Sequence, residues 1–179
     1  MMFIFLKKIF YFFYREFKVN ISGFHDILTN ITFFFISIFI FIFSIGPQDK
    51  ILSVMGVSIL WTLLLLSSTL SLTKFYRDDF DTGNLIILHL NGFSFEFIAI
   101  LKTISHFIYV QVPFIISIPI ACVLINIPIE KIYSLLISFV IGSFILSCLG
   151  SISSSMNLLN KRNYLLGSVI VMILSIPVI

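Results

Sequence analysis

The sequence predicts an all-α, polytopic transmembrane helix bundle, and three observations predict it. The chain is 59% hydrophobic and only 11% charged, with a mean hydropathy of +1.16, whereas roughly a quarter of residues are charged in soluble domains. Charge-free runs cover 27–48, 51–73, 103–129, 132–160 and 163–179, each near or above the roughly 17–25 apolar residues a helix needs to cross the hydrocarbon layer. No stretch shows the strict alternation over about ten residues that a membrane β-strand requires. Connections this short hold no soluble domain, so 1–179 is read as one membrane domain.

The first element, 7–25, differs from a crossing helix. Lys7, Tyr11, Arg15, Lys18 and Ser22 recur at steps of three or four, with Phe10, Phe13, Phe17 and Ile21 as the opposite stripe. That pattern predicts an amphipathic helix lying in the interface, its apolar face in the acyl boundary and its cations toward anionic headgroups. The plainer alternative is an ordinary flanking segment. Spans are then predicted over 27–45, 51–73, 98–125, 132–156 and 164–179. The 22 phenylalanines, crowded with isoleucine from Phe33 to Phe43, read as lipid-facing filling rather than a special aromatic surface. The last run stops at Ile179 without an anchor, so a sixth span beyond it is expected.

Lysine and arginine orient the bundle, because short cytoplasmic loops carry the excess. Lys7, Lys8, Arg15, Lys18, Lys74, Arg77, Lys102, Lys161 and Arg162 fall on one side, and Lys50 and Lys131 on the other. The N-terminus and the 75–97 segment are therefore expected to face the cytoplasm, or the matrix of a mitochondrion. Cys122 and Cys148 belong at different depths of neighbouring spans, too far apart for a disulfide; both read as small packing residues.

The segment 75–97 carries four of the eight acidic residues, Asp78, Asp79, Asp81 and Glu96. Thr82-Gly83-Asn84 and Asn91-Gly92 are helix breaks, since Gly and Asn tolerate the left-handed conformation. A short polar element along the membrane face is predicted, suited to a soluble partner with basic groups; a plain solvated loop is the alternative. Adjacent carboxylates point to different sides of a helix, and no histidine sits one turn after Asp78, Asp79 or Asp81. No catalytic, metal-binding or cofactor-binding residues are expected, and no P-loop pattern occurs. Nucleic acid is not an expected partner; the bilayer is.

The ordered set Gly46-Pro47, Trp61, Ser71-Leu72, Tyr76-Arg77-Asp78-Asp79 and Gly83-Asn84-Leu85 resembles the CcmB family, haem exporter protein B of cytochrome c maturation. Lys102 with His106, Asn126-Ile127-Pro128, Leu149-Gly150 and Ile176-Pro177 extend the resemblance to nearly the whole chain. Tyr76 stands where the family has Phe, Thr82 and Ile86 where it has acids, and Asn84 where it has Ser. The resemblance implies a permease subunit of an ABC-type transporter in the bacterial, or mitochondrial, inner membrane. ATP would be hydrolysed on a separate CcmA-like subunit, with CcmC- and CcmD-like membrane proteins and a CcmE-like haem chaperone completing the assembly. Haem would be handled by the complex, exported or released with the chaperone; pairing with a second copy stays open. The expected ATPase contact is Tyr76, Arg77, Asp78, Asp79, Asp81 and Gly83. The family has six spans, so the chain resembles a member shortened at its C-terminus.

Lys102 and His106 sit one turn apart within a span and form a candidate functional pair, since ionisable groups inside a membrane are expensive. Pro113 and Pro119 are either tolerated kinks or a hinge. Gly142, Ser143, Ser147, Gly150, Ser151, Ser153, Ser154 and Ser155 favour close helix packing over a polar path. Two rivals remain: a permease of another type-2 ABC exporter, and a scaffold or ion-coupled carrier that needs no ATPase.

Overall fold

The computed structural model describes residues 9–18, 24–46, 49–72, 75–158, 173 and 175. The expected span over 164–179, apart from Ile173 and Ser175, and the loop with Lys161 and Arg162 lie outside the described residues. Among the described residues all regular structure is helical. Helix α1 covers 9–18, α2 Phe24–Ile45 and α3 Asp49–Leu72. Two short helices follow, α4 over Arg77–Asp81 and α5 over Asn84–Leu90. Helix α6, Phe95–His106, continues through a π-helical turn, Phe107–Gln111, into α7, Val112–Leu124, and α8 is Ile129–Leu158. Among the described residues four stretches are long and apolar enough to cross a bilayer: Ile27–Ile45, Leu52–Ser71, Phe95–Leu124 and Ile129–Leu158. The chain is a multi-pass membrane protein.

Local chemistry sets the ends of the third of these. Its helix begins at Phe95, ahead of the uncharged run, because the Ser94 hydroxyl accepts the Phe97 N–H at 3.3 Å and satisfies a free donor of the first turn. It closes after Leu124 in a turn where Asn126 takes a positive φ of 59°, and Pro128 prevents continuation. Helix α8 takes Glu130 into its first turn, where the helix dipole favours an anion.

The core joins four helices. Phe34 and Ile38 of α2, Leu60 and Leu64 of α3, Phe114 and Ile118 of α7, and Phe139 and Leu146 of α8 are all buried in one cluster. The outer face of α2 presents Phe33, Ile36, Phe39, Ile40 and Phe43 to the surroundings, as lipid-facing filling should. Helices α3 and α8 meet where Trp61 stacks on Phe139 with ring centroids 4.3 Å apart. Gly142 makes room for that indole: a β-carbon there would stand 2.2 Å from a Trp61 ring atom. The serine stripe of α8 points the same way, with Ser143, Ser147, Ser151, Ser153 and Ser154 buried and Ser155 exposed. Cys122 and Cys148 are free thiols.

A second cluster holds α1 against the α5–α6 corner. Phe12 is 2% exposed and packs with Leu88, Phe93, Ile98 and Leu101, with Ile9, Phe13, Leu85 and Phe97 around them. This revises the sequence reading of α1. Phe10 and Phe17 remain on the outside, yet the face that docks on the bundle is Phe12 with Glu16, one turn apart. Arg15, expected among headgroup-facing cations, turns toward the bundle and pairs with Asp79.

Overpacking a core costs about 1–3 kcal/mol. Gly142→Ala should therefore lower the thermal unfolding midpoint of the detergent-solubilised protein. Ile141→Ala, at a 58% exposed neighbour, should leave the midpoint unchanged.

Candidate functional site

Three elements far apart in sequence bring four charges together. Arg15 and Glu16 come from α1, Asp79 from α4, and Lys102 from α6. Arg15 donates to Glu16 at 2.6 Å and, through its other terminal nitrogen, to Asp79. The Lys102 ammonium pairs with Asp79, lies 3.6 Å from Glu16, and donates to the Phe75 carbonyl at 3.5 Å. It also sits 5.8 Å from the centre of the Tyr76 ring, a favourable place for a cation. The side chains of Glu16, Asp79 and Lys102 are 6–7% exposed and that of Arg15 27%. Two cations and two anions make the cluster neutral, which is the condition under which buried charge is tolerated.

The two carboxylates are not equivalent. Burial raises the Glu16 carboxyl above its usual value, and the pull of Lys102 and Arg15 does not offset it. Burial acts on Asp79 in the same sense, but Lys102 and Arg15 outweigh it and hold that carboxyl below the usual value. Asp79 is thus the firmly ionised partner. Tyr76 lies in the same layer, its hydroxyl 2.7 Å from that of Ser151 on α8; burial raises its phenol despite that bond.

Deeper along the third span the polar contacts become neutral. His106 lies between two hydroxyls, Ser71 of α3 at 3.0 Å and Ser147 of α8 at 3.2 Å, with Phe75 packed on its ring. One turn on, the fully buried Gln111 exchanges hydrogen bonds with Ser68 at 3.1 and 3.2 Å. Lys102 and His106 therefore face different partners, the lysine the charged cluster and the histidine the serines. Pro113 occupies the second position of α7, directly after the π-turn, and Pro119 lies inside α7. The Ser117 hydroxyl donates to the Pro113 carbonyl at 2.8 Å.

The six residues expected to meet a partner divide in two. Tyr76 and Asp79 are 5% and 6% exposed and bind inward. Asp78 and Asp81 are exposed, and Arg77 donates to Asp81 at 2.7 Å along the outer side of α4. Gly83 separates α4 from α5 with a left-handed φ of 72°, a conformation other residues adopt only at a cost. The members left on the outer side are Arg77, Asp78, Asp81 and Gly83, because a short helix laid on the bundle must turn one side inward. Glu16, Arg15 as a partner of Asp79, and Gln111 were not foreseen. One signal was available for the first: Glu16 is the sole acid before Asp26, one turn after Phe12.

The family profile described as "CcmB protein" matches residues 7–179. The chain belongs to the CcmB family. It is 32% identical over 165 residues to heme exporter protein B of Haemophilus influenzae, covering 92% of this chain and 75% of that protein. Heme exporter protein B of Rhodobacter capsulatus is 30% identical over 91% of this chain and 75% of its own length. For the protein of that name from Pseudomonas aeruginosa the figures are 26%, 86% and 69%. The CcmB-matched region contains all four members of the charge cluster, the Trp61–Gly142 contact and the outer side of α4.

Removing one partner of a buried ion pair costs about 3–5 kcal/mol. Asp79→Asn should therefore destabilise the purified protein by roughly that amount. Glu16→Gln should cost less, because Glu16 lies 3.6 Å from Lys102 whereas Asp79 pairs directly with both cations. Parallel thermal unfolding of the two variants in detergent checks the ordering; equal losses would contradict it.

Proposed function

We propose that this chain is the membrane permease subunit of an ABC-type transporter complex that handles haem for cytochrome c maturation. Membership of the CcmB family over 7–179 carries the reading. The structure adds a chemical reason for a separate energy source: the described residues are a helical membrane bundle with a small charged ridge, and the sequence has no P-loop. ATP would be bound and hydrolysed on a CcmA-like soluble subunit. That subunit docks on the outer side of α4, where Asp78 and Asp81 with Arg77 offer alternating charge and Gly83 lets the chain turn sharply into α5. CcmC- and CcmD-like membrane proteins and a CcmE-like haem chaperone complete the assembly, and haem is its cargo. The side bearing α4 faces the cytoplasm of a bacterium, or the matrix of a mitochondrion, as the lysine and arginine distribution requires.

Charge complementarity governs encounter and orientation at such a surface. Asp78→Lys with Asp81→Lys should abolish co-purification of the ATP-binding subunit while leaving membrane insertion intact. Undiminished co-purification would remove α4 as the contact. Deleting the gene should abolish holocytochrome c; normal cytochrome levels would instead favour a permease of another type-2 exporter.

A further inference from the structure

We propose that Asp79 and Lys102 form a rigid joint carrying movement of α4 into the third span, and that the π-helical turn Phe107–Gln111 is the compliant joint about which the inner half of that span moves. This rests on the reading that α4 meets an ATP-binding subunit, and it assigns positioning roles to residues that subunit does not touch.

The rigid joint follows from the cluster. Every polar contact of the Lys102 ammonium goes to elements outside the span: Asp79 of α4, Glu16 of α1 and the Phe75 carbonyl. Breaking a buried ion pair is costly, and the apolar cluster of Phe12, Leu88, Phe93, Ile98 and Leu101 ties α1 and α6 to α5. Helices α1, α4, α5 and α6 therefore move together more cheaply than apart.

The compliant joint begins at Phe107, five residues after Lys102. The Val112 N–H donates to the Phe107 carbonyl, one residue further back than in an α-helix, and Pro113 has no N–H to give. Single π-turns mark functional sites in helices. The side-chain contacts across this region, His106 to Ser71 and Ser147 and Gln111 to Ser68, are hydrogen bonds with no ionic partner, each weaker than a buried ion pair. Their hydroxyls have second partners close by: Ser71 also donates to the Ser68 carbonyl at 2.7 Å, and Ser147 to the Ser143 carbonyl at 3.1 Å. On release of the third span those two hydroxyls stay paired, while the His106 ring and the Gln111 amide must take new partners.

Two hydroxyls point to a second arrangement. Ser67 and Ser105 are buried at 0% and 1% exposure, and their oxygens have no hydrogen-bond partner among the described residues. Such atoms are uncommon enough to need a reason. Each adjoins a residue of the bonded set, Ser67 beside Ser68 and Ser105 beside His106. Migration of the extra residue along the helix advances each residue it passes by about 1.5 Å and turns it by about 100°, exchanging a residue for its neighbour at the facing positions. Such an exchange would bring Ser105 to the facing position that His106 now holds, opposite α3, where Ser67 lies beside Ser68.

Deletion of Ile108, a 44% exposed residue of the turn, removes the extra residue while keeping the register of α6 and α7. The variant complex should insert, retain the ATP-binding subunit and hydrolyse ATP at its basal rate, yet lose holocytochrome c formation. Wild-type cytochrome levels in this variant overturn the proposal. Should the deletion fail to accumulate, the pair Asp79→Asn and Asp79→Glu decides. Asn should keep the ATP-binding subunit and lose maturation, with Glu restoring it; loss of the subunit, or wild-type maturation with Asn, overturns the proposal. If the unaltered chain retains no ATP-binding subunit, the coupling reading itself fails, which is a separate result.

Discussion

Neutrality of the Arg15–Glu16–Asp79–Lys102 cluster is the condition on which the arrangement at this end of the bundle depends. A lone buried ammonium or carboxylate would be too costly to keep ionised at such a position. Each of these four is tolerable because opposite charges from other elements complete it. Since α1, α4 and α6 each supply at least one charge, no one of them reaches its observed place without the others. The aromatic cluster around Phe12 adds area, but area alone is not directional. It is the ion pairs that fix which face of α1 turns inward.

Between the spans a different rule applies. Water is not available to drive helices together within lipid, so close packing and small side chains decide. The Trp61 indole fits against Gly142 and stacks on Phe139, while the serines of α8 both allow approach and meet His106 and Tyr76. The α8 stripe read from sequence as packing is therefore packing with hydrogen bonds built into it. The structure thus grades from charged contacts at the α4 end, through neutral polar contacts at His106 and Gln111, to the apolar cluster of Phe114 and Ile118.

The all-helical membrane class was legible in the sequence because it needs only long uncharged runs, and hydropathy is additive along the chain. The break at Gly83 was legible for a local reason, the left-handed backbone glycine permits. The inward turn of Asp79 was not, because three neighbouring acids look alike until the partner surface is known, and that partner is Lys102 from another helix. Glu16 was hidden by the same limit: α1 was read against lipid and solvent alone, and its protein-facing side was missing from the comparison. The π-turn has no signature in hydrophobic periodicity; Pro113 marks its edge and nothing marks its register.

The Arg15–Asp79 pair spans 64 positions of sequence, and Lys102 emerges later still. During synthesis α1 is therefore complete long before any of its ionic partners exists. Its exposed Phe10, Tyr11, Tyr14 and Phe17 give it somewhere to wait, at the boundary of lipid and water where such rings rest. Only when the third span has been inserted can the helix exchange that provisional seat for its final one. The order in which this protein is assembled is thus written into the spacing of its charges, with α1 secured only once α4 and α6 have followed it.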